Sequence, residues 1–139
     1  MRTVHAIVLS MLLAVAGLVL ADEPGTIGPD ALAARLKAQD VTVIDVRTPA
    51  EYGAGHVPGA INIPHDKIQE HLDDLTAVKS RDLVLYCRSG RRTQLAIETL
   101  KTNGFQHLFH LEGDLPGWQA GGRAVEETPS GPPTEKTGK

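Results

Sequence analysis

The chain has 139 residues, of which 41% are hydrophobic, and its formal net charge is −3 at pH 7. Once the terminal segments are set aside, this length allows one ordinary domain and excludes a second hydrophobic core. The slightly acidic balance excludes the strongly basic surface through which proteins bind nucleic acid.

The N-terminal segment has the layout of a secretory signal peptide. Fifteen residues without charge, Ala6 to Leu20, follow Arg2 and end just before the polar stretch that begins at Asp22. We expect cleavage after Ala21, so that residues 1–21 are removed and the protein is exported. The alternative is an uncleaved membrane anchor, but the apolar run is shorter than the roughly 20 residues that a membrane-spanning helix needs.

The C-terminal segment differs in composition from the rest of the chain. Residues 126–139 contain three prolines and two glycines but no aliphatic or aromatic side chain, so we expect a disordered tail. The predicted domain therefore spans residues 22–125. After cleavage the chain has 13 Lys and Arg against 17 Asp and Glu, a net charge of −4.

The first half of the domain alternates between helix-like and strand-like segments. Pro29 in a first helical turn, with Leu32 and Leu36 on one face, predicts a helix over residues 29–38. The β-branched run 41–46 predicts a buried strand. Thr48-Pro49-Ala50-Glu51 then has the pattern of a capping box, which predicts the start of a short helix.

The second half continues the alternation. A short strand is predicted over residues 60–63, and apolar residues at helical spacing predict a helix over 66–77. A buried strand over 82–86, a helix over 91–103 and a strand over 107–111 follow. This order predicts an α/β fold with a mainly parallel sheet and helices on both faces.

Cys87 is the only cysteine, so the exported protein cannot form an internal disulfide. Three interpretations are open: a buried structural residue, a point of intermolecular crosslinking, or a reactive thiol. The neighbours of Cys87 favour reactivity, because a cysteine with three arginines within the next five residues lies among groups that must be hydrated or paired. We therefore predict a solvent-accessible nucleophile.

The loop that follows Cys87 predicts an anion-binding site. It connects a strand to a helix at the carboxyl end of the strand, where open α/β sheets bind ligands. The helix N-terminus and the arginines favour a thiolate and attract anionic substrates. The predicted substrate-binding residues of the loop are Arg88, Ser89, Gly90, Arg91, Arg92 and Thr93.

Four ordered motifs resemble those of the single-domain rhodaneses, over about residues 26–125. They are Asp45-Val46-Arg47-Thr48-Pro49-Ala50-Glu51-Tyr52, Gly55-His56-Val57-Pro58-Gly59-Ala60-Ile61-Asn62-Ile63-Pro64, the loop Cys87 to Thr93, and Asn103-Gly104-Phe105 with Gly117-Trp118. With the signal peptide, the resemblance is to exported thiosulfate sulfurtransferases of bacterial envelopes and implies a periplasmic location.

The resemblance implies a two-step sulfur transfer through Cys87, with no metal and no cofactor. Cys87 takes the outer sulfur of thiosulfate or a similar small anionic donor, releases sulfite and holds a persulfide. The acceptor is cyanide or a thiol, such as that of a thiol-redox protein, because the chain has no second cysteine to resolve the persulfide. Which loop arginine contacts the donor stays open.

Two other functions are compatible with a cysteine in such a loop. Cysteine-dependent phosphatases and arsenate reductases have arginine six residues after the cysteine, where this chain has Thr93, and Arg92 lies one position too early. The shorter loop suits sulfur and crowds phosphate. A non-catalytic sulfur carrier or interaction module is the other alternative, and the intact Cys87 argues against it.

Three further residues lie in the resembling motifs. Asp45 and Arg47 either line the pocket or form an ion pair that fixes the turn 55–59, and we favour the ion pair by analogy with the family. His56 is either an acid/base group or a donor to the backbone, and its place in the turn favours the backbone contact. Trp118 is expected to be a core residue.

The remaining sequence signals are weaker. His65, His71, His107 and His110 show no metal-ligand spacing, so no zinc site is predicted. Glu112-Gly113-Asp114 and Gly121-Gly122-Arg123 stand where the family usually has paired glycines and a later proline. Asp114 near an anion site is expected to weaken donor binding.

Overall fold

A five-stranded parallel sheet forms the centre of the protein. The computed structural model describes residues 23–128, so the predicted signal peptide lies outside the described residues. The strands are β1 (Gly25–Ile27), β2 (Val41–Asp45), β3 (Ile61–Asn62), β4 (Asp82–Tyr86) and β5 (Leu108–Leu111). Their spatial order is β1-β5-β4-β2-β3, and every neighbouring pair is parallel, which confirms the predicted α/β fold.

Helices cover both faces of this sheet. They are α1 (Pro29–Ala38), α2 (Pro49–Ala54), α3 (Leu72–Thr76), α4 (Arg91–Thr102) and α5 (Asp114–Ala120), with a 3-10 turn at Ile68–His71 before α3. No helix within residues 23–128 is both long and apolar enough to cross a membrane.

The alternation of side chains along β4 creates two cores. Leu83, Leu85 and then Cys87 face the layer that contains α3 and α4, whereas Val84 and Tyr86 face the layer that contains α1 and α5. These β4 side chains have 0% or 1% of their surface exposed. Burying one such leucine or valine stabilises a fold by about 1.5–3 kcal/mol. Strand β4, which is also the middle strand of the sheet, therefore contributes strongly to the stability of both cores.

The predicted elements agree with the structure where local signals are strong. Helix α1 and strand β4 have the predicted bounds, and Thr48 begins α2 with both hydrogen bonds of the capping box. The single predicted helix over residues 66–77 is wrong, because its first part is the 3-10 turn, in which the amide of Glu70 donates to the carbonyl of Lys67.

Three structural features were not predicted. Strand β1 is only three residues long and forms by pairing with β5, and α5 contains Pro116 and Gly117, so neither has a clear periodic pattern. The predicted tail begins too early, because the backbone of Glu126 pairs with that of His56 and the amide of Thr128 donates to Gly53. Residues 129–139 lie outside the described range.

Candidate active site

Cys87 lies at the carboxyl edge of the sheet, directly after β4. The strand order changes direction between β2 and β4, since the chain runs from β2 outward to β3 and then returns to the other side of β2. Ligands of open α/β sheets bind at such a switch point. The fold therefore presents Cys87 at the edge position where ligand chemistry is expected.

The loop after Cys87 curls back so that a backbone amide meets the sulfur. The amide nitrogen of Gly90 lies 3.0 Å from Cys87 Sγ and donates to it. Gly90 has φ of 90°, and a Cβ atom there would lie 3.1 Å from the ring of His110, so glycine suits both the turn and the close approach. Helix α4 begins at the next residue, which directs its N-terminal amides towards the same region.

Cys87 is fully covered in this structure, with 0% of its surface exposed. The expectation of a solvent-accessible thiol is therefore wrong for this conformation. The side chain continues the inward alternation of β4 and packs with the core beneath α4, while the exposed positions of the loop are Arg88, Ser89 and Arg91. The sequence correctly places polar groups next to Cys87, but those groups point away from the core.

Arg92 has a defined partner and is not a free cation. Its Nη1 and Nη2 atoms lie 2.7 Å and 3.0 Å from the two carboxylate oxygens of Glu51 in α2. This bidentate pair lowers the pKa of Glu51 from 4.5 to about 2, chiefly through the Arg92 hydrogen bond. The predicted field of three available arginines therefore reduces to the exposed Arg88 and Arg91.

Asp114 is a site residue whose contacts the sequence did not predict. Its Oδ1 atom accepts from the amide of Cys87 at 2.9 Å and lies 3.6 Å from Cys87 Sγ. The same oxygen lies 2.9 Å from His110 Nε2 and 3.4 Å from the hydroxyl of Thr93. Burial alone would raise the pKa of Asp114, but the hydrogen bonds from His110 and from the Cys87 amide outweigh burial and lower it.

Asp45 and Arg47 form a buried ion pair at the end of the neighbouring strand β2. Arg47 Nη2 lies 2.6 Å from Asp45 Oδ2 and also donates to the carbonyl of Gly55 at 2.7 Å. Asp45 Oδ2 accepts a third hydrogen bond from the hydroxyl of Tyr86 at 2.8 Å. The pair thus ties β2, β4 and the turn that begins at Gly55.

His56 is buried beside this ion pair and stacks on Tyr52. Its Nδ1 atom lies 2.8 Å from the carbonyl oxygen of Tyr52, and the ring centroids are 3.7 Å apart. The ring thus makes the backbone contact that the turn motif predicts. Its contacts with Tyr52 favour a structural role for His56. Trp118 is also buried, and its indole N–H donates to the carbonyl of Ala124 at 2.9 Å.

A cleft of about 270 Å³ opens beside the Cys87 loop. Arg88 is the only residue of Cys87 to Thr93 that lines it, opposite Arg47 and Glu51. Leu115, Pro116 and Gln119 of α5 form the remaining wall, together with Ala54. The cleft therefore offers one exposed guanidinium, since Arg47 is paired with Asp45 and Glu51 is paired with Arg92.

The described histidines and acids do not assemble into a metal site. Within residues 23–128, no three His, Cys, Asp or Glu side chains converge closely enough to hold a metal ion. Where histidines meet carboxylates, they do so in pairs, as His71 does with Asp74 and His110 with Asp114.

Comparisons with known proteins identify a family for this chain. Residues 28–121 match the model of the rhodanese-like domain. The chain is 35% identical over 100 residues to a sulfurtransferase of Allochromatium vinosum, covering 71% of this chain and 92% of that protein. It is also similar to larger proteins, and it spans 23% to 27% of two tRNA uridine(34) hydroxylases that it matches.

Solved structures show the same fold. A rhodanese-related protein of Thermoplasma volcanium superposes with a TM-score of 0.65 at 28% identity, covering 73% of this chain and 97% of that one. A thiosulfate sulfurtransferase of Pseudomonas aeruginosa gives a TM-score of 0.68 at 26% identity over 78% of this chain and 20% of that one. The chain therefore belongs to the rhodanese-like domain family, and its similarity to sulfurtransferases supports sulfur transfer as its general chemistry.

Proposed function

We propose that the protein transfers sulfane sulfur from thiosulfate, or a similar anionic donor, to cyanide or a thiol through a persulfide on Cys87. The observation that carries the proposal is the contact between the Gly90 amide and Cys87 Sγ at the N-terminus of α4. That arrangement stabilises negative charge on sulfur, and both the thiolate and the persulfide carry such charge.

The proposed cycle has two displacement steps. The Cys87 thiolate attacks the outer sulfur of thiosulfate, the new Sγ–S bond forms, and the S–S bond of the donor breaks as sulfite leaves with the electron pair. The acceptor then attacks the outer sulfur of the persulfide, and the thiolate is restored as the leaving group. With cyanide as acceptor the product is thiocyanate, and no net proton or electron is required.

The neighbouring residues have separate parts in this cycle. Arg88, exposed at the cleft, attracts the anionic donor. Arg92 is fixed by Glu51, so it holds the start of α4 against α2 and keeps the loop closed around Cys87. Because Cys87 is fully covered, donor entry requires the residues around the sulfur to move apart.

Export and an external acceptor are part of the same proposal. Residues 1–21 have the signal-peptide pattern, so we infer that the mature protein acts in the periplasm. A single cysteine leaves no internal thiol to take up the sulfur, so a separate thiol, for example on a thiol-redox protein, acts as the physiological acceptor.

Intact-mass measurement of the full-length gene product tests this function directly. We expect the purified protein to begin at Asp22, to gain one sulfur atom with thiosulfate and to lose it with cyanide. The matched Cys87→Ser variant, which keeps the size of the side chain, is expected to show no adduct and no thiocyanate formation. An adduct on that variant, or hydrolysis of a phosphate monoester without any sulfur adduct on the wild-type protein, would refute sulfur transfer through Cys87.

A further inference from the structure

The carboxylate of Asp114 lies beside the Cys87 sulfur, and the backbone of Asp114 has a conformation that is unusual for a residue other than glycine. Asp114 has φ of 53°, in the left-handed region that glycine normally occupies, and it is the first residue of α5. Only 5% of its surface is exposed, and its Oδ1 atom lies 3.6 Å from Cys87 Sγ. A glycine there would leave the sulfur without this negative neighbour.

His110 contacts the same carboxylate oxygen of Asp114 and is partly exposed to solvent. Its Nε2 atom lies 2.9 Å from the same Oδ1 atom, and 27% of its side chain is exposed. The ring borders a second cleft, of about 370 Å³, whose charged lining residues are Glu23, Glu98 and Lys101. Asp114 and His110 therefore form a couple that joins the covered sulfur to solvent.

We propose that this couple makes Asp114 a specificity-determining residue, through which Cys87 discriminates between sulfur donors by their charge. The inference rests on the proposed function, because it concerns donors that approach Cys87. The Asp114 carboxylate is held beside the sulfur by its contacts with the Cys87 amide and with His110 Nε2, and it opposes every anion that approaches the sulfur.

The magnitude of this effect follows from the distances. A donor that is attacked by Sγ brings its own charge to within a few ångströms of Asp114, and one unit charge at that range changes a rate by about five- to tenfold when solvent screens it partly. Thr93 also contacts Asp114 Oδ1, at 3.4 Å, but it contributes a hydrogen bond without net charge. Charge and hydrogen bonding can therefore be separated by substitution.

Two alkylating reagents that differ by one charge provide the test. Iodoacetate and iodoacetamide undergo the same reaction with the Cys87 thiolate, in which an S–C bond forms and iodide leaves. Both need the thiolate, so the ratio of their rate constants cancels the ionised fraction of Cys87 and reports the local charge. The ratio is measured at neutral pH on the full chain, with Cys87→Ser as the blank.

Removal of the Asp114 charge is expected to favour the anionic reagent. Asp114→Asn keeps the shape and a residue type that tolerates positive φ, and it is expected to raise the iodoacetate-to-iodoacetamide ratio about five- to tenfold. Asp114→Gly removes the whole side chain at a positive φ that glycine adopts freely, and it is expected to raise the ratio by a similar factor. Asp82→Asn removes one carboxylate at the opposite end of β4 from Cys87 and is the matched control, and its ratio is expected to equal that of the wild-type protein.

Unchanged ratios in both Asp114 variants, or an equal rise in Asp82→Asn, would overturn the inference, because loosened packing alone admits both reagents alike. Failure of both reagents to modify wild-type Cys87 would overturn it too, since no donor could then reach the sulfur. The outcome is independent of sulfur transfer. Raised ratios in the Asp114 variants without a persulfide adduct would reject the proposed function alone, and an adduct with unchanged ratios would reject the inference alone.

Discussion

Strands β2 and β4 are paired neighbours in the sheet, but the buried polar groups at their carboxyl ends have different roles. At the end of β2, the Asp45 carboxylate binds Arg47 and Tyr86, and Arg47 also binds the carbonyl of Gly55. At the end of β4, Cys87 Sγ contacts one amide and one carboxylate, those of Gly90 and Asp114. At the end of β2 the buried charges are all paired with one another or with the backbone, which makes a closed network. At the end of β4 the sulfur has few contacts, so it is able to form and break a covalent bond.

The difference separates residues that hold the edge of the sheet from residues that can react there. A buried charge whose hydrogen bonds are all satisfied stabilises one geometry and resists any movement. A sulfur held by a single amide at a helix N-terminus keeps its orientation while it gains or loses a bond. We therefore expect substitutions at the end of β2 to change stability, and substitutions around Cys87 to change reactivity.

The largest effect is expected from Asp45→Asn. The amide cannot satisfy the buried Arg47 guanidinium, so we expect the free energy of unfolding to fall by about 3–5 kcal/mol. Urea unfolding measures the change. The control is Asp82→Asn, which removes the partly exposed partner of Arg35 and is expected to cost under about 1 kcal/mol. Equal costs at the two sites would contradict the view that β2 ends in a closed structural network.

A smaller loss of stability is expected from Tyr86→Phe. The hydroxyl donates to Asp45 at 2.8 Å and accepts from the buried amide of Val57 at 3.0 Å. Its removal leaves that amide without a partner, so we expect a cost of about 1–3 kcal/mol. The iodoacetamide rate of Cys87 under native conditions is expected to stay within about twofold, because Tyr86 faces the other core. A large change in that rate would show that the two strand ends are coupled.

Arg88→Ala is expected to change reactivity without changing stability. Arg88 is exposed and lines the cleft beside the loop, so its loss should raise the KM for thiosulfate about five- to tenfold. The thermal unfolding midpoint is expected to be unaffected. Arg91→Ala serves as the control, since Arg91 is equally a loop cation but does not line that cleft. A larger KM effect for Arg91 would place donor entry on the other side of the loop.

The smallest effect is expected from Glu51→Gln and depends on pH. The pKa of Glu51 is lowered from 4.5 to about 2 in the folded protein, so the ion pair stabilises fully above pH 4.5 and the stabilisation is lost as pH falls towards 2. Since 32% of the Glu51 side chain is exposed, we expect about 1 kcal/mol or less. Glutamine keeps the capping box, so only the charge changes.

Urea unfolding at neutral and acidic pH measures this difference between the Glu51→Gln variant and the wild-type protein. The difference is expected to shrink steadily below pH 4.5. A difference that stays constant with pH would mean that the ion pair with Arg92 contributes nothing and that the substitution acts through the helix cap alone.

Local signals explain why much of the fold could be predicted. Pro29 at a helix start, the capping box from Thr48 to Glu51 and the continuous apolar run of β4 each act within a few residues, and the structure reproduces them. The same local pattern placed Cys87 between a strand and a helix. Strand β1 gave no such signal, because three residues become a strand only through their pairing with β5.

The electrostatic environment of Cys87 could not be predicted, because its contacts come from distant parts of the chain. Arg92 pairs with Glu51 across 41 residues, and the amide of Cys87 binds Asp114 across 27. Local sequence suggested an exposed thiol among free arginines, whereas packing covered the thiol and neutralised one arginine.

The sequence by itself determined the alternation of helices and strands from α1 to β5, the single cysteine and its place after a buried strand, since these depend on local periodicity and composition. Tertiary structure alone decided which charges reach the sulfur. A charge acts through space over a few ångströms, and only the folded chain brings the Asp114 carboxylate within that distance of Cys87 and places His110 against that carboxylate.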